Sequence, residues 1–347
     1  MSAFAAASER ARPTPRGTAL TRAGGLAFAA GILGVATLAS LGVGARSIPP
    51  ADVLHSLLHG GDNQDAAIVN SIRVPRTLLG IAVGAALGLA GALMQALTRN
   101  PLADPGLLGV NAGAACAVVI AISLGAAGAA GSVWFAFIGA ALTSVAVYAI
   151  GNAGRGGATP VRLALAGTAI TAALTAVIYG VALSDARLLQ QFNFWSVGAL
   201  GGRGRTELEA ILPFVALGCV IALTLPRSLN ALALGDDTAR SLGAHVGRTR
   251  IGGAVSITLL CGAATAAAGP MYFLGLTVPH AGRALCGPDQ RWILAYSAVL
   301  GAALLLVADV IGRVLVRPGE LQAGVMVAVI GAPVFIALVR RKRIAAL

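Results

Sequence analysis

Lysine is almost absent from this sequence of 347 residues, and charged residues of any kind are few. Lys342 is the only lysine, and charged residues make up 11% of the chain, against about one quarter in a typical soluble domain. A P-loop needs a lysine that reaches the nucleotide phosphates, in the pattern G-x-x-x-x-G-K-[ST]. The sequence therefore excludes a Walker-type ATPase site before Lys342. If ATP drives this protein, a separate chain has to hydrolyse it.

Cysteine and the usual catalytic signatures are also scarce. The chain has four cysteines, which form no C-x-x-C pair, and at least three of them lie in apolar segments. We interpret them as small buried hydrophobic residues. The H-E-x-x-H and G-x-S-x-G motifs are missing as well. The sequence thus predicts a protein that is not an enzyme and that has no resident cofactor and no metal site.

Apolar and small residues are abundant instead. Hydrophobic residues make up 57% of the chain, the mean hydropathy is +0.84, and glycine occurs 46 times. A membrane-spanning helix needs about 20 predominantly apolar residues. We therefore predict an all-α polytopic membrane protein with about ten spanning helices. The predicted spans are residues 20–43, 76–98, 106–125, 131–151, 160–183, 206–226, 248–268, 273–286, 291–315 and 323–340.

The placement of the basic residues predicts the topology. The formal net charge is +12. When the N-terminus is placed inside and the spans alternate, most of the basic residues fall on the inner side, as the positive-inside rule requires. Both termini are then cytoplasmic, and the positive charge needs no nucleic-acid partner. We interpret residues 1–19 as a disordered cytoplasmic tail, residues 20–340 as one transmembrane domain and residues 341–347 as a basic cytoplasmic tail.

Two pairs of side chains are candidates for chemistry outside a classical motif. Asp309 lies inside the ninth predicted span, and Arg313 follows one helical turn later, where the two can form an intramembrane ion pair. A single acid of this kind is thin support for a proton-coupled carrier. His55 and His59 have an i,i+4 spacing that could bind a metal or haem iron. We interpret them as a solvated helix face, because no third ligand accompanies them.

Polar and small residues also form stripes along single spans. Gly80, Gly84 and Gly88 form a small-xxx-small ladder on the second predicted span, which indicates close helix packing. A polar stripe runs along the fifth predicted span. Its members either line a translocation pathway or hydrogen bond between helices, and both interpretations stay open. The stripe consists of Thr168, Thr171, Thr175 and Tyr179.

Residues 228–243 form a short segment between the sixth and seventh predicted spans, on the inner side. Gly235 and Gly243 are suited to ending two short helices there. Asp236 and Asp237 fit the positive end of the second helix. A compact helical pair outside the membrane predicts a docking surface for another protein.

Six strings of sequence occur in an order that resembles one protein family. They are Arg73-Val74-Pro75-Arg76, Asn100 to Gly109, Leu234 to Gly243, Phe273 to Arg283, Asp309 to Arg313, and Gly331 to Phe335. Together they resemble the FecCD family of ABC-importer permeases, and the resemblance covers residues 20–340. It implies the type II ABC importer permease architecture, with ten spans per subunit, in a bacterial inner membrane.

The resemblance also implies partners and residue roles. Such a permease works as a homodimer with two ATPase subunits on the cytoplasmic side and a periplasmic substrate-binding protein outside. It implies that Arg73, Arg76 and Arg313 meet acidic residues of that binding protein. The second short helix matches the coupling helix that contacts the ATPase, through Asp236, Asp237, Arg240, Ser241, Leu242 and Gly243. The translocation pathway then lies beside the fifth span and its polar stripe.

The cargo is the least determined part of this interpretation. The segment 187–202 and the Asp104-Pro105-Gly106 variant resemble the haem branch, so haem is our first expectation. Ferric siderophores stay open, because a large, partly apolar anionic ligand suits an apolar cavity with arginines outside. Cobalamin stays open as well. The alternatives from other classes are a single-chain proton-coupled transporter, which needs acids near the membrane midplane, and a membrane scaffold that transports nothing.

Overall fold

The computed structural model describes residues 15–44, 46–61, 63–126, 129–153, 160–317 and 319–340, and all regular structure in these ranges is helical. The α-helices of the described residues, in chain order, are α1 (Pro15–Gly42), α2 (Pro50–His59), α3 (Gln64–Ala67), α4 (Val74–Thr98), α5 (Val110–Ser123), α6 (Ala129–Asn152), α7 (Pro160–Ala182), α8 (Ala186–Ser196), α9 (Arg205–Thr224), α10 (Pro226–Leu232), α11 (Asp236–Ser241), α12 (Val246–Ala268), α13 (Leu274–Cys286), α14 (Gln290–Leu315) and α15 (Ala323–Arg340).

The predicted fold class is confirmed, and each predicted span coincides with one helix. Seven helical stretches of the described residues are long and apolar enough to cross a membrane. Val110–Ser123 and Ala323–Ala337 are shorter apolar helices, so the number ten is approximate. Helix α1 begins at Pro15, inside the segment interpreted as a tail, and proline suits the first turn of a helix. The rest of that tail, 1–14, and the basic tail, 341–347, lie outside the described residues.

Helix α4 is the centre of the bundle and contacts α14, α12, α13 and α9. The predicted glycine ladder lies where α4 crosses α14. A methyl group at Gly84 would stand 2.5 Å from the carbonyl oxygen of Gly301, and one at Gly88 would overlap the carbonyl of Ser297. Only glycine allows the two backbones to approach this closely. The ladder is therefore a packing feature.

A π-helical segment, Ile68–Arg73, joins α3 to α4. Pro75 has no N–H group to continue a regular helical ladder, and a wider turn before it accommodates that loss. This arrangement brings Arg73 and Arg76 to the start of α4. We call this end of the bundle, which also carries α2 and α3, the α2 end. The opposite end, which carries α10 and α11, is the α11 end.

Two helices that coincide with predicted spans, α5 and α13, are too short to cross the hydrocarbon core, and each follows an irregular segment. Helix α5 has 14 residues, about 21 Å at 1.5 Å per residue, against about 30 Å for the core. Helix α13 has 13 residues and follows Phe273, whose φ is 66°. Irregular backbone at membrane depth is tolerated where it is buried in protein or lines a cavity. From these irregular segments, Asp104, Gly106, Pro270 and Tyr272 line a cavity that is described next.

Candidate functional site

A buried charge network occupies the α2 end. Asp309 of α14 is 1% exposed. Its carboxylate accepts hydrogen bonds from Arg76 Nη2 at 2.8 Å and Arg76 Nε at 3.1 Å, and it lies 3.2 Å from Arg313 Nη2. Arg76 Nη1 also donates to Glu320 Oε2 at 2.8 Å. The network ties α4, α14 and the segment before α15 together.

The arginines expected to dock a partner are buried in this structure. Arg313 donates from Nη1 to the Ser40 carbonyl at 3.0 Å, and Arg73 donates from Nη1 to the Leu41 carbonyl at 2.6 Å. Arg73, Arg76 and Arg313 are all buried. Internal acceptors therefore bind these guanidinium groups already. Their docking role stays a prediction, and it would act through the shape and charge of this end more than through free side chains.

Sequence reasoning identified the local partner of Asp309 and missed the distant one. Arg313 is four residues from Asp309, within reach on one helix face, and their atoms do meet. Arg76 is 233 residues away. Neither it nor Glu320 is marked as a partner by any local spacing. The available signal was chemical: a buried acid in a span requires cationic partners, and the R-x-P-R string offered one.

A cavity of about 370 Å³ adjoins this network, with Arg76, Arg203, Glu320 and Phe194 among its lining residues. Arg203 lies in the connection between α8 and α9 and donates to the Ala267 carbonyl. Burial lowers the pKa of the Arg203 guanidinium, and the nearby Glu207 carboxylate opposes that shift. The α2 end thus holds a partly polar recess with charges of both signs.

A second cavity, of about 420 Å³, lies beside α7 and α8. Aromatic rings and hydroxyl groups line it, together with the irregular segments before α5 and α13. Thr171, Thr175 and Tyr179 of the predicted polar stripe all line it. Thr168 does not, and its hydroxyl donates to the Ala164 carbonyl at 2.8 Å. We call this space the aromatic cavity.

The aromatic cavity has one buried donor without a partner and one acid that accepts a single local hydrogen bond. Trp195 is buried, and its Nε1 has no hydrogen-bond partner among the described residues. Asp104, in the connection between α4 and α5, accepts from the Gly106 N–H at 2.8 Å. An unsatisfied donor beside an apolar wall is typical of a ligand cavity.

The short helices at the α11 end form where the glycines predicted them. Helix α10 covers Pro226–Leu232 and α11 covers Asp236–Ser241, with Gly243 at a φ of 81°. Leu242 is 63% exposed, and Asp237 is fully exposed beside Arg240. These side chains face away from the bundle. Ser241 is exposed on the same helix.

Asp236 differs from its neighbours because it points into the protein. Its carboxylate lies 2.8 Å from Arg250 Nη2 of α12 and 3.4 Å from Arg99 Nη2, at the end of α4. One carboxylate therefore attaches α11 to two core helices. The sequence assigned Asp236 to the helix N-terminus, and that interpretation did not include the two arginines.

Two of the sequence strings meet between α4 and α13. Gln95 donates from Nε2 to the carbonyls of Gly275 and Leu276, at 3.3 Å and 3.2 Å, and accepts from Arg283. His280 Nε2 lies 2.8 Å from the Pro101 carbonyl. These contacts hold α13 against the irregular segment after α4, so the strings 100–109 and 273–283 have a shared structural role.

The histidines of α2 stack on each other. The ring centroids of His55 and His59 are 4.9 Å apart, with an interplanar angle of 20°. Among the described residues, no group of three or more His, Cys, Asp or Glu side chains could hold a metal ion. The pair therefore has no third ligand from this part of the chain.

Comparison with known proteins defines the class first. A chain of a metal-chelate type ABC transporter, solved in an inward-facing conformation, superimposes with a TM-score of 0.78 and 24% sequence identity. The superposition covers 92% of this chain and 99% of the other. The protein thus has the fold of that transporter chain.

The sequence comparison then defines the family. Residues 32–341 match the FecCD transport family, and this chain belongs to it. The ferric enterobactin transport system permease protein FepD of Escherichia coli is 49% identical over 90% of this chain and 93% of its own. The probable siderophore permease YfiZ of Bacillus subtilis is 40% identical (89% and 93% covered), and the hemin permease HmuU of Yersinia pestis is 41% identical (79% and 83% covered).

The family resemblance in the sequence is therefore confirmed. This chain is a transport permease with several membrane-spanning helices, and membership implies an ATPase partner and a substrate-binding partner. The cargo differs among the relatives, whose names include siderophore, hemin, citrate and cobalamin systems. The expectation of haem is not confirmed by these comparisons.

Proposed function

We propose that this chain is the membrane-spanning subunit of an ATP-driven importer for an iron chelate. Two copies form the pathway and alternate between access to the two sides of a bacterial inner membrane. Two ATPase subunits bind at the α11 end, which is cytoplasmic together with both chain termini. A periplasmic binding protein delivers the cargo to the α2 end.

The exposed face of α11 is the observation that carries this proposal. Leu242, which directly follows α11, is 63% exposed outside the spans, where an apolar side chain gains from a protein partner. Asp236 attaches the same helix to α4 and α12. A displacement of α11 by a partner therefore reaches the central helix of the bundle through an ion pair.

A ferric siderophore is the cargo that we propose first. The support is the 49% identity to a permease named for ferric enterobactin and an aromatic cavity of about 420 Å³ with hydroxyl and indole donors. Such donors suit the oxygen atoms of a chelate, and the rings suit its apolar parts. Haem is the second candidate, on the resemblance of segment 187–202 to the haem branch.

The α2 end is the face that we propose for the binding protein. Arg73, Arg76 and Arg313 exceed in number the acids of their network, Asp309 and Glu320, so the network itself keeps a positive excess. Glu320 is partly exposed and bonded to Arg76, so an acidic partner can compete with it for that arginine. In this proposal the buried arginines attract an acidic partner through their electrostatic field and orient Glu320 for it.

Reconstitution tests the proposal. The full chain is co-expressed with its ATPase neighbour and placed in liposomes, and ATP hydrolysis and iron uptake are measured with binding protein loaded with a ferric catecholate or with haem. We expect stimulated hydrolysis and uptake of the catecholate. A larger response to haem would make haem the first candidate cargo and the ferric siderophore the second. Uptake that needs no ATPase and stops when a proton gradient is dissipated would replace the importer by a carrier.

A further inference from the structure

An apolar groove runs between α6 and α12 on the outside of the bundle. It encloses about 340 Å³, and its walls include Val145 and Tyr148 of α6 and Ile251 and Val255 of α12. Phe137 closes it toward the α2 end, where its ring packs 4.1 Å from that of Phe214 of α9. The groove shares no lining residue with the aromatic cavity and is separate from it.

The length of the groove matches one leaflet of a bilayer. It extends along α6 from Phe137 to Tyr148, which is about 16 Å at 1.5 Å per residue. The hydrocarbon core of a bilayer is about 30 Å thick, so one leaflet contributes about 15 Å. Leu142, between these two residues, is exposed to the surroundings of the bundle. Phe137 and Tyr148 both lie within the candidate span Gly131–Asn152, so the groove lies at the depth of acyl chains.

Positive charge stands at the α11 end of the groove. Arg248 is exposed and lies three and seven residues before Ile251 and Val255, on the same helix face. Arg250 lines a smaller cavity that continues the groove past Tyr148. Its one ion pair among the described residues is with Asp236, which Arg99 shares. Arg99 and Arg250 therefore share one carboxylate, and the nearby Arg248 adds a further positive charge, which leaves an excess of positive charge.

We propose that this groove is a binding site for an anionic phospholipid. One acyl chain lies between α6 and α12, and the phosphate meets Arg248 and Arg250 at the level of the Tyr148 phenol. The charges select an anionic headgroup, because guanidinium groups bind phosphate through paired hydrogen bonds. The site is a property of the single chain and does not depend on the cargo or on the ATPase.

Lipid retention by the purified full chain tests the site. Native mass spectrometry would follow the binding of phosphatidylglycerol and phosphatidylcholine. The wild type should keep one phosphatidylglycerol per chain in preference to phosphatidylcholine. Arg248→Gln with Arg250→Gln should weaken phosphatidylglycerol binding by about tenfold or more and remove the preference. Arg291 is an exposed arginine at the same end, on α14, and Arg291→Gln is the matched control. It should change neither the binding of phosphatidylglycerol nor the preference over phosphatidylcholine.

Two further variants separate the site from general effects on folding. Ala254→Trp, which fills the groove where both cavities meet, should prevent binding of either lipid. Arg248→Gln alone changes only an exposed side chain and should still reduce the preference. Equal lipid binding by Ala254→Trp and the wild type would overturn the proposal. A photoreactive residue at Val145 should form an adduct with lipid, and an adduct with a second copy of the chain would also overturn it.

Discussion

Arg76 and Asp309 form a hydrogen-bonded ion pair at 2.8 Å across 233 positions of sequence. The pair joins the central helix α4 to α14 at the α2 end. Because Asp309 is almost completely buried, its charge depends on the guanidinium groups of Arg76 and Arg313. Removal of the carboxylate would leave two buried cations with fewer partners.

Asp309→Ala should therefore destabilise the fold strongly. We expect a loss of about 3–5 kcal/mol, the usual cost of breaking a buried ion pair. The measurement is reversible unfolding of the purified chain in detergent. Asp237→Ala, which removes a fully exposed carboxylate, is the control and should stay within about 0.5 kcal/mol. Equal effects of the two substitutions would contradict the structural role given to the network.

Gly88→Ala should separate α4 from α14. The added methyl group would overlap the Ser297 carbonyl, and such overpacking costs about 1–3 kcal/mol. Gly34→Ala in α1 is the matched control, since a methyl there meets no atom within 4 Å. Alanine favours a helix over glycine by about 0.5–1 kcal/mol. The free energy of unfolding should thus fall in Gly88→Ala and rise in Gly34→Ala. A rise in both variants would show that the crowding at Gly88 is relieved.

Leu242→Asp should uncouple the permease from its ATPase. The substitution places an unpaired charge in the proposed contact, and burial of such a charge costs several kcal/mol, so ATPase binding should fall about tenfold or more. Leu57→Asp, on the exposed side of α2 at the opposite end, should leave ATPase binding unchanged. Co-purification and ATP hydrolysis are the measurements, and undiminished binding by Leu242→Asp would remove α11 from the interface.

Asp236→Asn should weaken the coupling of ATP hydrolysis to import more than it weakens ATPase binding. The amide keeps the size of the side chain but loses the charge that attaches α11 to Arg99 and Arg250. We expect ATPase binding to persist while the iron imported per ATP hydrolysed falls. Asp237→Asn, whose only ion-pair partner among the described residues is Arg240 on the same short helix, should keep the wild-type ratio. A wild-type ratio of iron imported to ATP hydrolysed in Asp236→Asn would show that α11 couples the ATPase to the bundle without this ion pair.

Trp195→Phe should lower transport while the fold is kept. The indole Nε1 has no partner within the described residues, so its removal costs no internal hydrogen bond, and the smaller buried ring should cost about 1–2 kcal/mol through the void it leaves. If that donor binds cargo, uptake should fall. Trp134→Phe, an exposed residue of α6, is the control for both measurements. Unchanged uptake by Trp195→Phe would exclude the indole from the pathway.

The spans and their helical nature followed from the sequence because hydropathy acts locally. A run of about 20 apolar residues has one stable form in lipid, a helix with its backbone groups satisfied internally. The short helices near residues 228–243 were predictable for a similar reason, because glycine favours the conformation that ends a helix. The order of six strings was enough to identify the family.

Side-chain partners across the fold were beyond the sequence. Nothing local distinguishes Asp236, which points inward to two arginines, from Asp237, which is fully exposed beside it. Nothing local separates Thr168, which does not line the aromatic cavity, from Thr171 and Thr175, which do. Each distinction depends on the rotation of a helix against its neighbours.

The sequence by itself determined an all-helical membrane permease of the FecCD family that lacks an ATPase site, because composition, the absence of a P-loop lysine and ordered motifs are properties of the chain alone. Only the tertiary structure decided which charges are buried together, which polar residues share a cavity and where a groove stays open. Those outcomes depend on how α4, α12 and α14 pack. Contacts between residues more than 200 positions apart exist only after that packing is complete.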